Sequence, residues 1–563
     1  MACEQLLGDL VASIVTDTKG HGEDGACADA LHERLATQLR TLDCIDALED
    51  TTEFATTLKL QLDLMRTVSA QRAMHNMRTM HPRVTDQPMA AFDTRILQSI
   101  GSNIRAGDTP TDRQNLADMQ VRLTTRMGGL RVGCCHGTRH AAWCASVIAS
   151  WPTMQVMVPG LASSTMLSCG LQMLADFRGF YERIRLQRDA LADVYAQISA
   201  AEHHTSRGGL LRGFHPKSLP RHLPALDQLH QLHWDDKGLA IHPPAQRALS
   251  LVVFHAAWLD WFRACHAFDT LPHTDTPVHH REASRCVATC QTGAGAWMQV
   301  VITGNDQRYT TADVRTAAQR HFGLYLTGRR VDPLGDDGKR SHARRHRNVL
   351  TEMYRIEAAI ATCQVLMGDK QKMTDGQRST YDFYCNTHVL DILNVNGAHD
   401  GSPLLIETKV SSPLNKSPPT HSAVSHVGHR FPFGNTEDEL RITVLGREGR
   451  EGNHAFEHET GQGFVAPVEG QYADALRKGF RTICAVVEVF GGITPEYLRH
   501  IRRRGREHHK MHSLSDDRYA DSPEKSAFAH YHIGQISAAA ALTDAQSLNF
   551  NTGHSIVASA TAA

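Results

Sequence analysis

The segment that most constrains this chain runs from His388 to Lys409, with the sequence HVLDILNVNGAHDGSPLLIETK. Residues 389–395 follow a period of two, which predicts a β-strand. Asn396-Gly397 and Asp400-Gly401 supply turn-forming pairs. A second strand is predicted from Leu404 to Val410, because its nearly continuous apolar start is typical of a strand buried on both faces. The segment therefore predicts a hairpin of two buried strands.

Three polar residues of this hairpin form a pattern with a chemical use. Asp391 is predicted in mid-strand among Leu and Ile, while Glu407 and Lys409 are two apart and project from one face of their strand. Two carboxylates can hold Mg²⁺ (or Mn²⁺), which polarises a phosphate and its bound water, and an ammonium offsets developing charge. We therefore predict Asp391, Glu407 and Lys409 as catalytic residues, with Asp391 and Glu407 as metal ligands. A surface ion pair of Lys409 with a nearby carboxylate would explain the Glu-x-Lys spacing equally well.

Composition limits where such a protein acts and what can attract it to nucleic acid. A chain of 563 residues is long enough for two to four domains. Its net charge of −1 gives no overall attraction to nucleic acid, so any binding must come from local basic patches. The 13 cysteines, without a secretory start, predict reduced thiols in an intracellular compartment. No run approaches the roughly 18 apolar residues of a membrane span, so we expect a soluble protein with no membrane partner.

The predicted organisation changes character along the chain. Residues 1–225 are predicted to be helical, and 226–348 are predicted as a helical and linker region ending in a basic loop and the motif Arg345-His346-Arg347-Asn348. Residues 349–550 are predicted to form an α/β domain with a small mixed sheet and a loop insertion at 411–465. Residues 551–563 are predicted as a tail. The predicted fold class is therefore a mainly α N-terminal half followed by an α/β domain.

Several element predictions within this outline can be checked individually. An apolar stripe predicts one helix from Val349 to Met367, and Gly293 to Thr303 is predicted to be a short strand or extended segment. A third buried strand is predicted from Arg481 to Phe490. Thr494-Pro495-Glu496 supplies a cap, a first-turn proline and a first-turn acid, which predicts a helix start. A last helix is predicted at about 526–547.

Two basic clusters flank the hairpin in sequence and are predicted to contact phosphates. Each cluster could equally be a solvated helix face. The predicted nucleic-acid-binding residues are Arg344, Arg345, His346, Arg502, Arg503 and Arg504. Glu357 is predicted as an accessory carboxylate, and the alternative is a surface acid beside Arg355.

Three further groupings contain metal-ligating residue types. Cys134, Cys135, His136, His140 and Cys144 form the first, although a small-residue packing helix with free thiols is the favoured interpretation. His279, His280, Cys286 and Cys290 form the second, with a spacing that fits no zinc module. His454, Glu457 and His458 match the H-x-x-E-H pattern of zinc peptidases, but that motif needs a helix and here lies in a predicted loop.

Several of these segments, taken in order, resemble the C-terminal part of polyproteins from non-LTR retrotransposons that carry a restriction-like endonuclease. The resemblance covers about 120 to 550, with weak spacing in 140–290 and 415–470. The matching segments are Met127-Gly128-Gly129-Leu130-Arg131 (family GGLGLR), Gly293 to Trp297 with Tyr309 to Leu326 (AGAWL…RLG), Arg345 to Asn348 (RHN), Leu390-Asp391-Ile392 with Glu407 to Leu414 (P-A-D…D-V-T-V-x-S-P-L), and Val487 to Gly492 (V-E-T-F-G-G).

The resemblance implies a restriction-endonuclease-like α/β fold and Mg²⁺-dependent DNA cleavage, with Asp391 and Glu407 as ligands. Lys409 departs from the threonine common in these elements and restores the Glu-x-Lys of the wider superfamily. Two departures point to a fragment, a decayed copy or a domesticated derivative. Leu326 to His346 lacks the cysteines of the family's zinc knuckle, and no Y-x-D-D reverse-transcriptase site is present. The expected partners are DNA and RNA of a parent element, in the nucleus.

Three functions follow as hypotheses. The first is a metal-dependent DNA endonuclease of retroelement origin. The second is a catalytically inactive nucleic-acid-binding protein that keeps the basic surfaces. The third is a zinc peptidase built on His454 and His458.

Overall fold

The structure is a computed structural model, and it describes the chain in segments. Those segments are 70–104, 109–157, 166–202, 245–270, 282–298, 309–325, 338–360, 364–368, 373–385, 391–398, 401–411, 436–455, 463–512 and 527–560, with single positions between 29 and 43 and at 219, 220 and 223. Within them, no helix has both the length and the apolar content needed to cross a bilayer.

The described parts of the N-terminal half are helical. The helices are α1 Ala70–Thr79, α2 Pro82–Asn103, α3 Thr111–Arg122, α4 Cys135–Met157, α5 Met166–Glu202, α6 Ala245–Thr270, α7 Glu282–Thr289 and α8 Thr311–Phe322. One core buries Trp143, Trp258 and Trp261 among α4, α5 and α6. A second core surrounds Phe92 and Phe322. The predicted mainly α N-terminal half is confirmed.

The rest of the chain contains a small mixed sheet, also as predicted. Its elements are α9 Gly338–Ala358, β1 Val365–Met367, α10 Asp375–Cys385, β2 Ile392–Asn394, β3 Leu404–Ser411, α11 Thr436–Leu445, β4 Gly446–Arg447, β5 Val468–Glu469, α12 Ala473–Arg477, β6 Arg481–Glu488, α13 Pro495–His512 and α14 Ala527–Ala560. The strand order is β1-β2-β3-β6, with β4 and β5 in a separate pair. β1, β2 and β3 are antiparallel neighbours, and β6 runs parallel to β3.

Helices cover both faces of the sheet, because alternate side chains of β3 enter different cores. Leu404 and Ile406 pack in a core shared with α9, α13 and α14. Leu405 enters the opposite core, which contains Leu440 of α11 and Tyr472. The apolar start of β3 is thus buried on both faces, as its sequence predicted.

The last helix, α14, joins the two halves of the molecule. Ile536 and Ala539 belong to the core beneath the sheet, whereas Leu542 and Ala545 belong to the N-terminal core around Phe92. The predicted end of this helix near 547 is wrong, because α14 continues to Ala560, through most of the segment predicted as a tail. The predicted boundary at 348/349 falls inside α9.

The predicted helix start at Thr494 is confirmed, and α8 begins with a complete cap. Thr310 and Asp313 form a reciprocal capping box, in which Asp313 N donates to Thr310 Oγ1 at 3.2 Å and Thr310 N donates to Asp313 Oδ2 at 2.9 Å. α13 begins at Pro495, one residue after Thr494. The proline has no N–H to leave unsatisfied at the first helical position.

Two predictions from apolar patterns are wrong over the residues that the structure describes. The helix predicted from Val349 to Met367 ends at Ala358, and residues 365–367 instead pair with β2. A short apolar run fits a strand or a helix equally well, and pairing with a neighbouring strand decides between them. From Gly293 to Met298 the chain forms a turn and a short 3₁₀ helix instead of the predicted strand, and residues 299–303 lie outside the described segments. Gly293 has φ +96°, and a Cβ there would lie 2.7 Å from the carbonyl oxygen of Gly491.

The loop predicted at 411–465 is wrong over its second part. Thr436–Leu445 forms α11, whose Leu440 and Val444 pack on the sheet. The apolar residues of this helix form only a short pattern, and the surrounding Gly, His and Glu residues conceal it. Residues 412–435 lie outside the described segments.

Candidate active site

The two predicted metal ligands meet where β2 begins beside β3. β2 starts at Ile392, which pairs with Ile406, so the same register places Asp391 opposite Glu407. Asp391 therefore precedes the strand instead of lying in its middle, which corrects the sequence prediction. Its carboxylate oxygen Oδ2 accepts a hydrogen bond from the backbone N–H of Thr408 at 2.8 Å. The carboxylate thus takes the place that a backbone carbonyl would occupy if β2 extended further.

Glu407 lies in an environment that disfavours its negative charge. Burial and the neighbouring charge of Asp391 raise the pKa of Glu407 to about 7. Two hydrogen bonds oppose this rise, one from the hydroxyl of Tyr472 at 3.1 Å and one from the backbone N–H of Asp391. Like charges and low solvation therefore dominate at Glu407, and a bound cation would relieve both.

His346 joins this carboxylate pair from α9. Its Nε2 lies 3.4 Å from Asp391 Oδ2 and donates to the carbonyl oxygen of Thr408 at 3.1 Å. The hydrogen bond with Asp391 is the largest influence and raises the pKa of His346, although partial burial opposes it. The structure therefore places this predicted nucleic-acid-binding residue directly beside the candidate metal ligands.

Lys409 shares the strand face of Glu407, as the two-residue spacing predicted. Glu407 and Lys409 are both partly buried, whereas Thr408 and Val410 between and after them are buried on the opposite face. The ammonium and the Glu407 carboxylate thus leave β3 on the side that α11 and α12 cover.

The donor set of this site fits Mg²⁺. Among the residues that the structure describes, no group of three or more His, Cys, Asp and Glu is arranged to hold a metal ion. Mg²⁺ is commonly bound by one or two carboxylates and completes its shell with water and substrate phosphate. Asp391 and Glu407 supply two such carboxylates, and burial together with the charge of Asp391 raises the pKa of Glu407.

Glu357, the predicted accessory carboxylate, lies in a separate buried network of hydrogen bonds. It is fully buried and accepts hydrogen bonds from Asn394 at 2.9 Å, from His500 Nε2, and from Arg504 at 2.6 Å and 3.0 Å. Burial would raise its pKa, but His500 and Arg504 outweigh burial and lower the pKa to about 2. Asn394 is three residues further along the chain than Asp391, so Glu357 is not brought to the carboxylate pair.

The remaining predicted nucleic-acid-binding residues divide by exposure. Arg345 is buried and bonds Asp544, and Arg504 is buried against Glu357. Arg503 is half-buried and donates to the carbonyl oxygen of Gly397 at 3.3 Å. Arg344 and Arg502 are exposed. Two of the six predicted contacts thus have their guanidinium groups inside the fold.

The first Cys/His grouping is dispersed. Asp93 accepts from the backbone N–H groups of Cys135 and His136 and so caps the start of α4. The ring of His136 faces Asp86, and that of His140 lies against Phe180 with centroids 4.2 Å apart. These contacts agree with a packing helix.

The other two groupings are only partly described. Cys286 and Cys290 are buried with Cys265, while His279 and His280 lie outside the described residues. His454 lies in an exposed bend, and Glu457 and His458 fall in a part of the chain that the structure does not describe. The local backbone at His454 is therefore not the helix that a zinc-peptidase motif requires.

Tyr472 was missed by sequence reasoning. It lies 65 residues from its partner Glu407 and is 3% exposed, at the residue before α12. No local motif marks it, and only the packing of α12 against the sheet brings its hydroxyl to the carboxylate.

Comparisons of this chain with protein-family models, with curated proteins and with solved structures find no match.

Proposed function

We propose that this protein is a metal-dependent DNA endonuclease of retroelement origin with a restriction-endonuclease-like α/β domain. The proposal depends on one observation. Asp391 and Glu407 converge at the start of β2, and Lys409 leaves β3 on the same face as Glu407. This is the set of groups that cleavage of a phosphodiester by a metal-activated water requires.

Each group has a role that follows from its position. Asp391 and Glu407 would hold Mg²⁺ or Mn²⁺ between β2 and β3. When bound, the ion would polarise the scissile phosphate and lower the pKa of the attacking water. Lys409 would offset negative charge that develops on the phosphate. His346 would hold Asp391 and the backbone at Thr408 in place, because one ring nitrogen contacts both.

The sheet supports the proposed fold. β3, which carries Glu407 and Lys409, is an interior strand with β2 on one side and β6 on the other. Interior strands covered by helices on both faces hold their side chains within narrow limits, which a metal site needs. Two segments that carry the family resemblance also meet here, since His346 of the Arg345 to Asn348 motif contacts Asp391.

Plasmid nicking tests the proposal directly. Purified protein should convert supercoiled DNA to the open circular form with Mg²⁺ or Mn²⁺, and EDTA should stop the reaction. Asp391→Asn and Glu407→Gln should each reduce the rate at least about 100-fold, because a bound metal contributes several kcal/mol to such reactions. Glu448→Gln removes an exposed carboxylate of the same region and is the matched control.

The site assignment is wrong if nicking survives in Asp391→Asn and Glu407→Gln at the control rate. A second function, DNA binding without cleavage, is favoured because no group of three or more His, Cys, Asp and Glu within the described segments is arranged to hold a metal ion. It predicts that the wild-type protein retains DNA in the presence of Mn²⁺ but never nicks it.

A further inference from the structure

A basic cleft lies on the other side of the sheet from Glu407 and Lys409. It has a volume of about 550 Å³ and opens between α13 and the first residues of β3 and β6. Leu404 and Ile483 form part of its floor, and both side chains belong to the core on the α13 face. Glu407 and Lys409 leave β3 on the opposite face. The cleft is therefore separate from the candidate active site.

Four arginines line this cleft, which we call the arginine cleft. Arg499, Arg503 and Arg506 are spaced by four and three residues on α13, so they share one side of the helix. Arg481, the first residue of β6, faces them from the sheet. The fold thus brings cationic side chains from two elements to one concave surface.

The buried network around Glu357 orients one of these arginines. His500 donates from Nε2 to Glu357, which leaves Nδ1 to accept from Arg503 Nη2 at 2.9 Å. The same Arg503 nitrogen also donates to Gly397 O at 3.3 Å. Arg503 is therefore held at the cleft by groups fixed in the core, unlike a surface arginine that moves freely.

Nearby acids already have cationic partners. Glu496, which lines the cleft, is paired with Arg441 at 2.7 Å, and Glu507 accepts from Arg504 at 2.6 Å. Burial and the charges of Arg504 and Arg506 lower the pKa of Arg503, although Glu507 and Glu357 oppose this effect. An anion in the cleft would stabilise the charged form of Arg503.

We propose that the arginine cleft binds backbone phosphates of a nucleic-acid strand and adds affinity without taking part in cleavage. The choice of nucleic acid over another polyanion rests on the proposed function. Arg499 and Arg506 are seven residues apart, or about 10 Å along a helix, which matches the rise of about three nucleotides along a duplex axis at about 3.4 Å each. The bound segment would lie on the face of the sheet opposite the carboxylate pair.

The salt dependence of duplex binding, measured in EDTA, tests this proposal apart from catalysis. Each phosphate contact contributes about −0.9 to the slope of log affinity against log salt concentration. Arg499→Ala and Arg506→Ala should each reduce the magnitude of the slope by about 0.9, and the double variant should reduce it by about 1.8. Arg263→Ala is the matched control, because Arg263 is exposed on α6, outside both basic clusters and the cleft, and its slope should equal that of the wild type. Arg502→Ala, on the same helix but outside the cleft, separates the cleft from a general basic helix face.

Four outcomes separate the possibilities. The cleft is confirmed if the two cleft variants lose slope and the Arg502 variant does not, whether or not the protein nicks DNA. Equal loss in Arg502→Ala would overturn the cleft in favour of a general basic helix face. Wild-type slopes in all variants would overturn it while leaving the nuclease proposal intact. Inorganic pyrophosphate that binds through Arg499 and Arg506, without any effect of these residues on duplex binding, would overturn the choice of nucleic acid.

The variants are suitable because both side chains are exposed, so their unfolding free energy should change by no more than about 0.5 kcal/mol. A thermal unfolding scan of each variant beside the wild type checks this condition. Should Arg499→Ala fail the check, Arg506→Ala and Arg506→Lys still decide the result, because lysine keeps the charge and should restore most of the slope.

Discussion

Glu357 and Glu407 are two carboxylates beside the same hairpin, and the protein treats them in opposite ways. Glu357 is enclosed by His500, Arg504 and Asn394, and His500 and Arg504 lower its pKa to about 2. Glu407 is partly buried beside a second carboxylate, Asp391, and its pKa is raised to about 7. One acid stabilises the charge network of the fold, and the other is left with an unfavourable charge.

The difference supports the proposal that Glu407, and not Glu357, belongs to the candidate active site. A like-charge pair in a partly buried position lowers the stability of the free protein, so an external cation is the simplest reason for its presence. Glu357 needs no such cation because Arg504 already supplies the positive charge. Sequence alone did not separate the two, since both were predicted as carboxylates near one metal.

The largest expected change in stability follows substitution of Glu357. Glu357→Ala should lower the free energy of unfolding by about 3–5 kcal/mol, because it leaves Arg504 buried without its main partner. Denaturant titration at pH 7 measures the change. Arg504 is 6% exposed, so solvent cannot replace the carboxylate. A loss below about 1 kcal/mol would show that the network contributes little and would remove the contrast with Glu407.

Glu357 should also make the free energy of unfolding depend on pH in the acid range. The folded pKa of Glu357, about 2, lies below its ordinary value of 4.5. Its contribution is therefore complete above about pH 4.5 and is lost as pH falls towards 2. The pH dependence of unfolding in Glu357→Gln should be flatter than that of the wild type over this range.

The next effect concerns divalent cations and the carboxylate pair. Mg²⁺ at about 100 times its dissociation constant should add about 2.7 kcal/mol to the unfolding free energy, because the ion binds only the folded protein. Thermal unfolding with and without Mg²⁺ measures this at pH 8. Glu407→Gln should abolish the increase, and Glu448→Gln should keep it. An equal increase in both variants would place the cation elsewhere.

A smaller effect of opposite sign is expected when the metal is absent. Glu407→Gln should raise the unfolding free energy by about 1–3 kcal/mol at pH 8, because the variant lacks the charge that Asp391 repels. The folded pKa of Glu407, about 7, exceeds its ordinary value of 4.5. The wild type should therefore lose stability as pH rises from about 4.5 to 7, and below that range the two proteins should be equal. A destabilised variant at pH 8 would contradict the repulsion.

The smallest effect is expected at Tyr472. Tyr472→Phe removes one hydrogen bond to Glu407 and should lower stability by about 1 kcal/mol. This hydroxyl lowers the pKa of Glu407. Its loss should therefore raise that pKa, and the pH-dependent loss of stability should extend to higher pH. Comparing unfolding midpoints of the variant and wild type from pH 5 to 9 measures the shift. An unchanged curve would show that the hydroxyl does not influence Glu407.

The elements predicted well were those with local signals. The turn pairs after Asn396, the apolar start at Leu404 and the cap at Thr494 all lie within a few residues of the elements they define. The elements missed were those that depend on a neighbour. β1 exists because residues 365–367 pair with β2, and α11 exists because Leu440 and Val444 pack on the sheet.

The sequence by itself determined the hairpin and the placement of Glu407 and Lys409 on one strand face, because period and turn chemistry act over short distances along the chain. Only the tertiary structure decided which charges would be satisfied. Arg345 pairs with Asp544, and Glu357 pairs with His500 and Arg504, across 199, 143 and 147 residues. The physical reason is that the free energy of a charge depends on its solvation and on its nearest partner, and both are set by packing between distant segments.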